Sequence, residues 1–153
     1  MDPAPLRLAL EAAFAADDPA PPSRAREAQR LAAVERLIAA LAGQDFAAVK
    51  AELDPGVSIE IHAPPEFPFE RRISGSERLV ETLTANFAAV EQQGVEILGL
   101  VAQGDAVVLT FREQGRLRET GAPYDVHTVM EFRFAGDRVR HIREMIAPST
   151  GMA

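Results

Sequence analysis

The sequence predicts an α+β domain built on one curved antiparallel sheet, and three observations carry that prediction. Tyr124 to Ile146 reads as two long strands joined at Gly136-Asp137. Val126, Thr128, Met130, Phe132 and Phe134 share one face of the first strand, and Asp125, His127, Val129, Glu131 and Arg133 the other. The elements before it run helix, helix, strand, broken segment, helix and two further strands, so the second half forms a meander. Finally, 153 residues suit one domain, which at that size buries roughly 68–70% of its unfolded surface and needs no staples.

Pro5 to Ala16 is alanine-rich with Leu6, Leu10 and Phe14 at i, i+4 and i+8, an accessory helix cut off by the prolines of Asp17 to Pro22. Residues 1–22 are therefore expected to form an N-terminal helix and Pro-rich linker, 23–148 the domain proper and 149–153 a disordered tail. Ser23 is placed to cap a helix with Leu31, Val34, Leu37, Ile38 and Leu41 on one stripe, ending at Gly43. Asp45 caps a shorter helix showing Phe46, Val49 and Leu53, closed by the turn Asp54-Pro55-Gly56. Val57 to His62 alternates as a strand. Ala63 to Arg72, rich in proline and holding Phe67 and Phe69, is too broken for a regular element and reads as a flap. Ser74 and Glu77 have the spacing of a capping box for a third helix carrying Leu79, Val80, Leu83, Phe87 and Val90 and ending at Gly94. Strands Val95 to Val101 and Ala106 to Arg118 flank Gln103-Gly104-Asp105. In the terminal hairpin Gly136 supplies the positive φ that a short turn demands, and Val139 to Ile146 resumes alternation.

Charge and composition narrow the function. A formal net charge of −7 leaves no basic surplus for a phosphate backbone, so nucleic acid is not an expected partner. No apolar run approaches the roughly 18–20 residues that span a bilayer, and Leu6 to Ala16 follows Asp2 and is interrupted by Arg7 and Glu11, unlike a signal peptide. With no cysteine there is no disulfide or thiolate chemistry, and a cytoplasmic address is the default. His62, His127 and His141 come from different strands with no HxH or HExxH pair, so neither a metal site nor a cofactor is expected.

The order of AVERLIAALAGQDFAAVKAEL, VSIEIHAPPEFPFERRISGSERLVETL and the closing FRFAGDRVRHIREMI resembles the nuclear transport factor 2-like superfamily and its SnoaL-like branch, from about Ala25 to Ala147. That resemblance implies a strongly bent sheet, antiparallel or mixed, wrapped as a cone around three helices, with an apolar pocket and dimers through the outer face of the sheet. It also implies three catalytic tests. The positions of the steroid isomerases' tyrosine and two aspartates fall on Leu37, Ile61 and Met130, none of which transfers a proton. Of the Asp, Arg and Asp used by enzymes of the limonene-epoxide hydrolase type, only the arginine is matched, by Arg112, with Gln114 and Ala147 at the partner positions; Ala147 also stands where SnoaL-type cyclases place a late acid. Strand alternation puts Glu131 and Glu144 across the sheet from that site.

Period two then assigns Ile59, Ile61, Thr110, Arg112, Gln114, Thr128, Met130, Phe132, His141, Arg143 and Met145 to the concave face, with Leu37 facing them from the first long helix. Two readings of Arg112 stand side by side: it holds a small carboxylate or carbonyl compound together with Gln114, or it pairs with an acid such as Glu119 or Glu52. His62, with Glu60 two residues back on the same face, and Arg112 are the candidate catalytic residues; for His62 the competing reading is a solvent-facing histidine at a strand end. Val107, Leu109, Phe111, Val129, Ile142 and Ile146 are assigned to the outer face, an apolar patch suited to a sheet-to-sheet homodimer. The expected function is a small-molecule pocket of unassigned reaction, of isomerase, cyclase or hydrolase type, acting on an apolar carbonyl or carboxylate compound. The alternative is a non-catalytic dimeric interaction module.

Overall fold

A computed structural model describes residues 21–65, 67 and 69–149; the expected N-terminal helix over 5–16 and the tail beyond Ser149 lie outside the described residues. Three helices, α1 (Pro21–Ala42), α2 (Phe46–Glu52) and α3 (Ser76–Ala89), pack on one face of a six-stranded curved sheet. Its strands are β1 (Leu53–His62), β2 (Arg72–Ser74), β3 (Val90–Gln103), β4 (Ala106–Leu117), β5 (Pro123–Ala135) and β6 (Arg138–Pro148), in the order β2-β1-β6-β5-β4-β3. Only β1 and β6 run parallel. The predicted fold class therefore holds, with the sheet mixed.

The helices form where the apolar stripes required them. Val34 and Leu37 of α1 and Val49 of α2 are buried against Leu53, Val57, Ile59 and Ile61. Asp45 caps α2 as expected, accepting the Ala48 amide at 3.0 Å. Several boundaries differ from expectation. Helix α1 begins at Pro21, ahead of Ser23, in keeping with proline's fitness for a first helical turn. The left-handed residue after it is Gln44 (φ 52°), with Gly43 still bonded back to Ala39. Gly75, with φ 90°, occupies the N-cap of α3 without a side-chain cap bond, so Ser74 and Glu77 form no capping box. Helix α3 stops at Ala89, and Gly94 lies inside β3, which starts five residues before Val95. The turn at Asp54-Pro55-Gly56 is retained as an irregularity inside β1, with Asp54 accepting the Gly56 amide at 2.8 Å.

The two faces of the sheet follow from register. Residues paired across neighbouring strands share a face, and β4 and β5 pair Val107 with Phe132, Leu109 with Met130 and Phe111 with Thr128. All but the half-buried Met130 are buried against the helices. The face assigned to β4 from the sequence is therefore inverted. Val107, Leu109 and Phe111 point inward and Thr110, Arg112 and Gln114 outward, because burying three large apolar groups outweighs burying an arginine.

Strand β6 is inverted for a different reason. Phe134 pairs with Val139 but Arg133 pairs with His141, so Arg140 is an extra residue that shifts the phase. Val139 and, after the bulge, Ile142, Glu144 and Ile146 face inward; His141, Arg143 and Met145 face outward. Of the six residues proposed for an outer apolar patch, only Val129 is on that face. The other five belong to or pack on the core.

Candidate functional site

The inner face is largely apolar, and the residue that stands out on it is Glu144, midway along β6. The β6 bulge turns it toward the helices between Ile61 of β1 and Met130 of β5, its neighbours in register. It is half-buried, and among the described residues no hydrogen-bond partner reaches its carboxyl. The sealed, unpartnered side-chain atoms of the described chain are Arg30 Nε and Arg71 Nη1, so the Glu144 oxygens retain contact with solvent. Burial, reinforced by the charge of Glu113, pushes this carboxyl up to about 7.

Glu113 lies on the same face of β4 and is held from two directions. Tyr124 Oη donates to its Oε1 at 2.7 Å and Gln93 Nε2 to the same oxygen at 2.8 Å. Tyr124 lies over the backbone of Gly115: a Cβ there would meet the phenol oxygen at 2.7 Å, so the ring's position requires a glycine. Burial and the hydrogen bond and charge of Glu113 raise the Tyr124 phenol above its ordinary range. Val95, paired with Glu113, and Ile97, paired with Phe111, are 55% and 48% exposed, which leaves the inner face open along β3 at this end. The result is an apolar face bearing one unpartnered acid on β6 and, across β5 and two inner-face positions further along, a second on β4 that is firmly oriented. A carboxyl raised to about 7 can give and take a proton near neutral pH.

The residues expected to line the site divide evenly. Ile59, Ile61, Thr128, Met130 and Phe132 are on the inner face and Leu37 meets them from α1. Thr110, Arg112, Gln114, His141, Arg143 and Met145 are on the outer face. Arg112 resolves toward an ion pair, but with neither Glu119 nor Glu52. Its Nε donates to Asp125 Oδ1 at 2.9 Å, and Gln114 Nε2 donates to Asp125 Oδ2 at 3.1 Å. Arg112, followed by Ser149, holds the Asp125 carboxyl well below the usual carboxylate range, while Asp125 raises the guanidinium in turn. Glu52 pairs instead with Arg36 at 2.8 Å. Ser149, placed in the expected tail, is bonded through its amide to Asp125 O at 2.9 Å. Arg143 reaches Glu131 at 3.4 Å.

Each histidine has a separate partner. His62 Nε2 is 3.1 Å from Glu60, as the shared strand face anticipated; His127 Nδ1 is 3.1 Å from Ser149 Oγ, and His141 Nδ1 is 2.8 Å from Ser58 Oγ. Among the described residues no three His, Asp or Glu side chains converge as a metal site would require. His62 is exposed and borders a groove of about 360 Å³ with Ala63, Arg71 and Arg72 at the root of the flap. The flap itself is tied down by Arg71, which donates to the carbonyls of Pro64 at 2.9 Å and Phe67 at 3.2 Å.

Sequence reasoning missed two charged groups on the helix side of the sheet. One is Arg30 of α1, which donates to Gly104 O at 2.6 Å, pairs with Asp105 and lies 5.4 Å from the Phe134 ring centre, fixing the β3–β4 turn to the helix. The other is Glu144. Its signal was legible: apolar residues at Val139 and Ile142, three apart, break period two and announce the bulge.

Similarity to known proteins agrees with this architecture. A nuclear transport factor 2-like protein from Burkholderia xenovorans LB400 superposes with a TM-score of 0.70 at 22% identity, covering 79% of this chain and 91% of its own. A candidate SnoaL-like polyketide cyclase from Jannaschia sp. CCS1 gives 0.70 at 21% identity over 85% and 90% of the two chains. An LEH-like epoxide hydrolase of M. tuberculosis gives 0.63 at 21% identity over 80% and 85%. At these identities the likeness speaks for the fold. No functionally curated protein matches. The profile of the SnoaL-like domain matches residues 34–142, the greater part of the sequence and nearly all of the helix-and-sheet body described above. The chain belongs to the SnoaL-like family.

Proposed function

We propose that this is a small-molecule protein of the cytoplasm that binds a compact, mostly apolar compound on the inner face and transfers a proton at it. Glu144 is the proton donor and acceptor, and Glu113, oriented by Tyr124 and Gln93 on the same face of β4, is the fixed acceptor. The observation that carries this reading is the unpartnered, half-buried Glu144 carboxyl on an apolar wall, which its surroundings raise to about 7 and so poise for proton exchange near neutral pH. The reaction type is isomerisation, cyclisation or addition of water, all of which need acid and base on one face. A carboxylate ligand held by Arg112 loses its support, because Asp125 occupies that guanidinium on the other side of the sheet.

Met130 and Met145 provide a built-in test, one methionine on each face next to Glu144 in register or sequence. With ¹³C-methyl methionine, a library of small apolar fragments is expected to shift Met130 and to spare Met145. Fragments that move only Met145 would overturn the reading. A second reading, a dimeric interaction module, draws on Val101 and Met145, which are 65% and 44% exposed on the outer face. A concentration-independent monomer in analytical ultracentrifugation would remove it.

A further inference from the structure

At the flap root the chain leaves β1 after His62 and returns to the sheet at Arg72, and the amide of Ile61 donates to Arg71 O at 2.8 Å to close the base. The short β2 is the last strand on this side, so residues of both faces meet around its edge. Glu60 and Arg72, paired in register, lie with His62 on the outer face; Ile61 and, opposite it, Arg71 lie on the inner face. These five and Ala63 line one groove of about 360 Å³, which is what brings them together.

The donors and acceptors around that groove do not balance. Arg71 spends its Nη2 on the carbonyls of Pro64 and Phe67, while its Nη1 is closed off from solvent with no partner. An N–H kept from water and left unbonded is costly, and nothing among the described residues offsets it. Arg71 as a whole is only half-buried, so the groove already reaches the side chain that carries this nitrogen. Arg72, 84% exposed at the side chain, has one loose contact, 3.7 Å from Glu60 Oε1. His62 Nε2 shares that oxygen at 3.1 Å. One carboxylate thus answers two guanidinium groups and an imidazole, and the nearby Glu70 is bonded to Arg78 at 2.8 Å.

We propose that this groove is a carboxylate site, separate from the inner face around Glu144. The carboxylate is held by Arg71 and Arg72, taking the Nη1 donors that the chain leaves unused, and its short hydrocarbon part rests on Ile61 and Ala63. Arginine presents its N–H groups as a planar fork, which a planar carboxylate meets with two parallel bonds. The apolar wall favours such a ligand over inorganic phosphate, which has no hydrocarbon to place there. A cation would meet two fixed positive charges and find Glu60 already shared. The site does not depend on the proton-transfer reading, since the groove residue next to Glu144 in register is the apolar Ile61.

The histidines supply the readout, because His62 borders the groove while His127 and His141 pair with Ser149 and Ser58. The full chain, with ¹³C-labelled histidine rings and methionine methyls, is titrated with propionate, inorganic phosphate and propylamine at pH 8 and constant ionic strength. Propionate is expected to move the His62 signal to saturation and to leave His127, His141 and Met130 in place. It should bind about threefold or more tighter than phosphate, with propylammonium inert. Arg72→Gln, which touches no flap contact, should weaken propionate about tenfold with an unchanged amide spectrum. Arg71→Lys should do the same by removing the fork while keeping the charge. Because Arg71 also ties the flap, Arg72→Gln is the deciding variant, and an unchanged propionate affinity there overturns the proposal. An unmoved His62 signal, or equal shifts at all three histidines, overturns the site; tighter binding of phosphate overturns the carboxylate assignment. If propionate moves Met130 and spares His62, the groove proposal fails while the inner-face reading stands.

Discussion

The two faces of the sheet handle charge in opposite ways. On the outer face charged groups are frequent, exposed and matched: Arg112 with Asp125, Arg133 and Arg143 with Glu131, and Arg72 and His62 with Glu60. On the inner face they are few, and one of them, Glu144, has no partner among the described residues. Solvent screens the outer pairs, so each adds little to stability and would be little missed. The inner carboxyl is the perturbed one: its surroundings raise it to about 7, whereas Asp125 on the outer face is held low by Arg112. Abundance of charge and perturbation of charge thus lie on opposite faces of the sheet.

The comparison is tested hardest by large changes on the inner face. Phe132 is 1% exposed at the centre of the core, and Phe132→Ala is expected to cost about 3–5 kcal/mol in urea unfolding. A loss below about 1 kcal/mol would mean that β5 does not face the helices as described. Next in size is Glu144→Gln, with the unusual sign. The carboxyl's ordinary value is 4.5 and its folded value about 7, so between these the folded chain binds more protons than the unfolded one. Stability therefore falls as pH rises through that window, reaching a full penalty on the order of 3 kcal/mol above it and none below. The glutamine variant should be more stable than the parent at pH 8 and equal to it at pH 4. Equal stability at both would show that Glu144 is not buried uncompensated.

A subtler effect concerns Tyr124, the chain's single tyrosine, so that ultraviolet titration reads it alone. Its phenol is expected to ionise above the usual tyrosine range, and Glu113→Gln should bring the midpoint down only part of the way, because burial is the larger cause. A midpoint at the ordinary value in the parent protein would break the Tyr124–Glu113 contact that orients the site.

How much of this was legible depends on whether a local pattern was left undisturbed. The α1 stripe of Val34 and Leu37, the Asp45 cap and the β5 face from Val126 to Phe134 could be read directly, because period and capping chemistry are properties of a few adjacent residues. The chain order from α1 to β6 was likewise sufficient for the fold. The site was not legible in the same way. Its β6 member depends on a bulge at Arg140, one residue that reverses every side chain after it, and its β4 member on which face wins the helices. On β4 the alternation of Val107, Leu109 and Phe111 was itself the correct guide, and aligning Arg112 to a catalytic arginine displaced it. The tie between Tyr124, Gln93 and Glu113 joins three strands and leaves no trace in any one of them.

The smallest expected effect separates the faces most cleanly. Arg112 and Asp125 are 38% and 27% exposed at the side chain, and their bond is screened, so Arg112→Met should lower Tm by far less than Phe132→Ala lowers it. The sign with pH is opposite to that for Glu144. Asp125 is depressed, so its contribution is present above its ordinary value of 3.8 and lost as pH falls through its folded value. Removing Arg112 should therefore cost stability at neutral pH and cost progressively less in acid, whereas Glu144→Gln gains at neutral pH and nothing in acid. Met130 should keep its methyl shift and its response to ligand in the arginine variant. If Arg112→Met instead abolished the Met130 response at unchanged Tm, the guanidinium would be acting on the inner site through the sheet. The outer face would then have to be counted as part of the binding machinery.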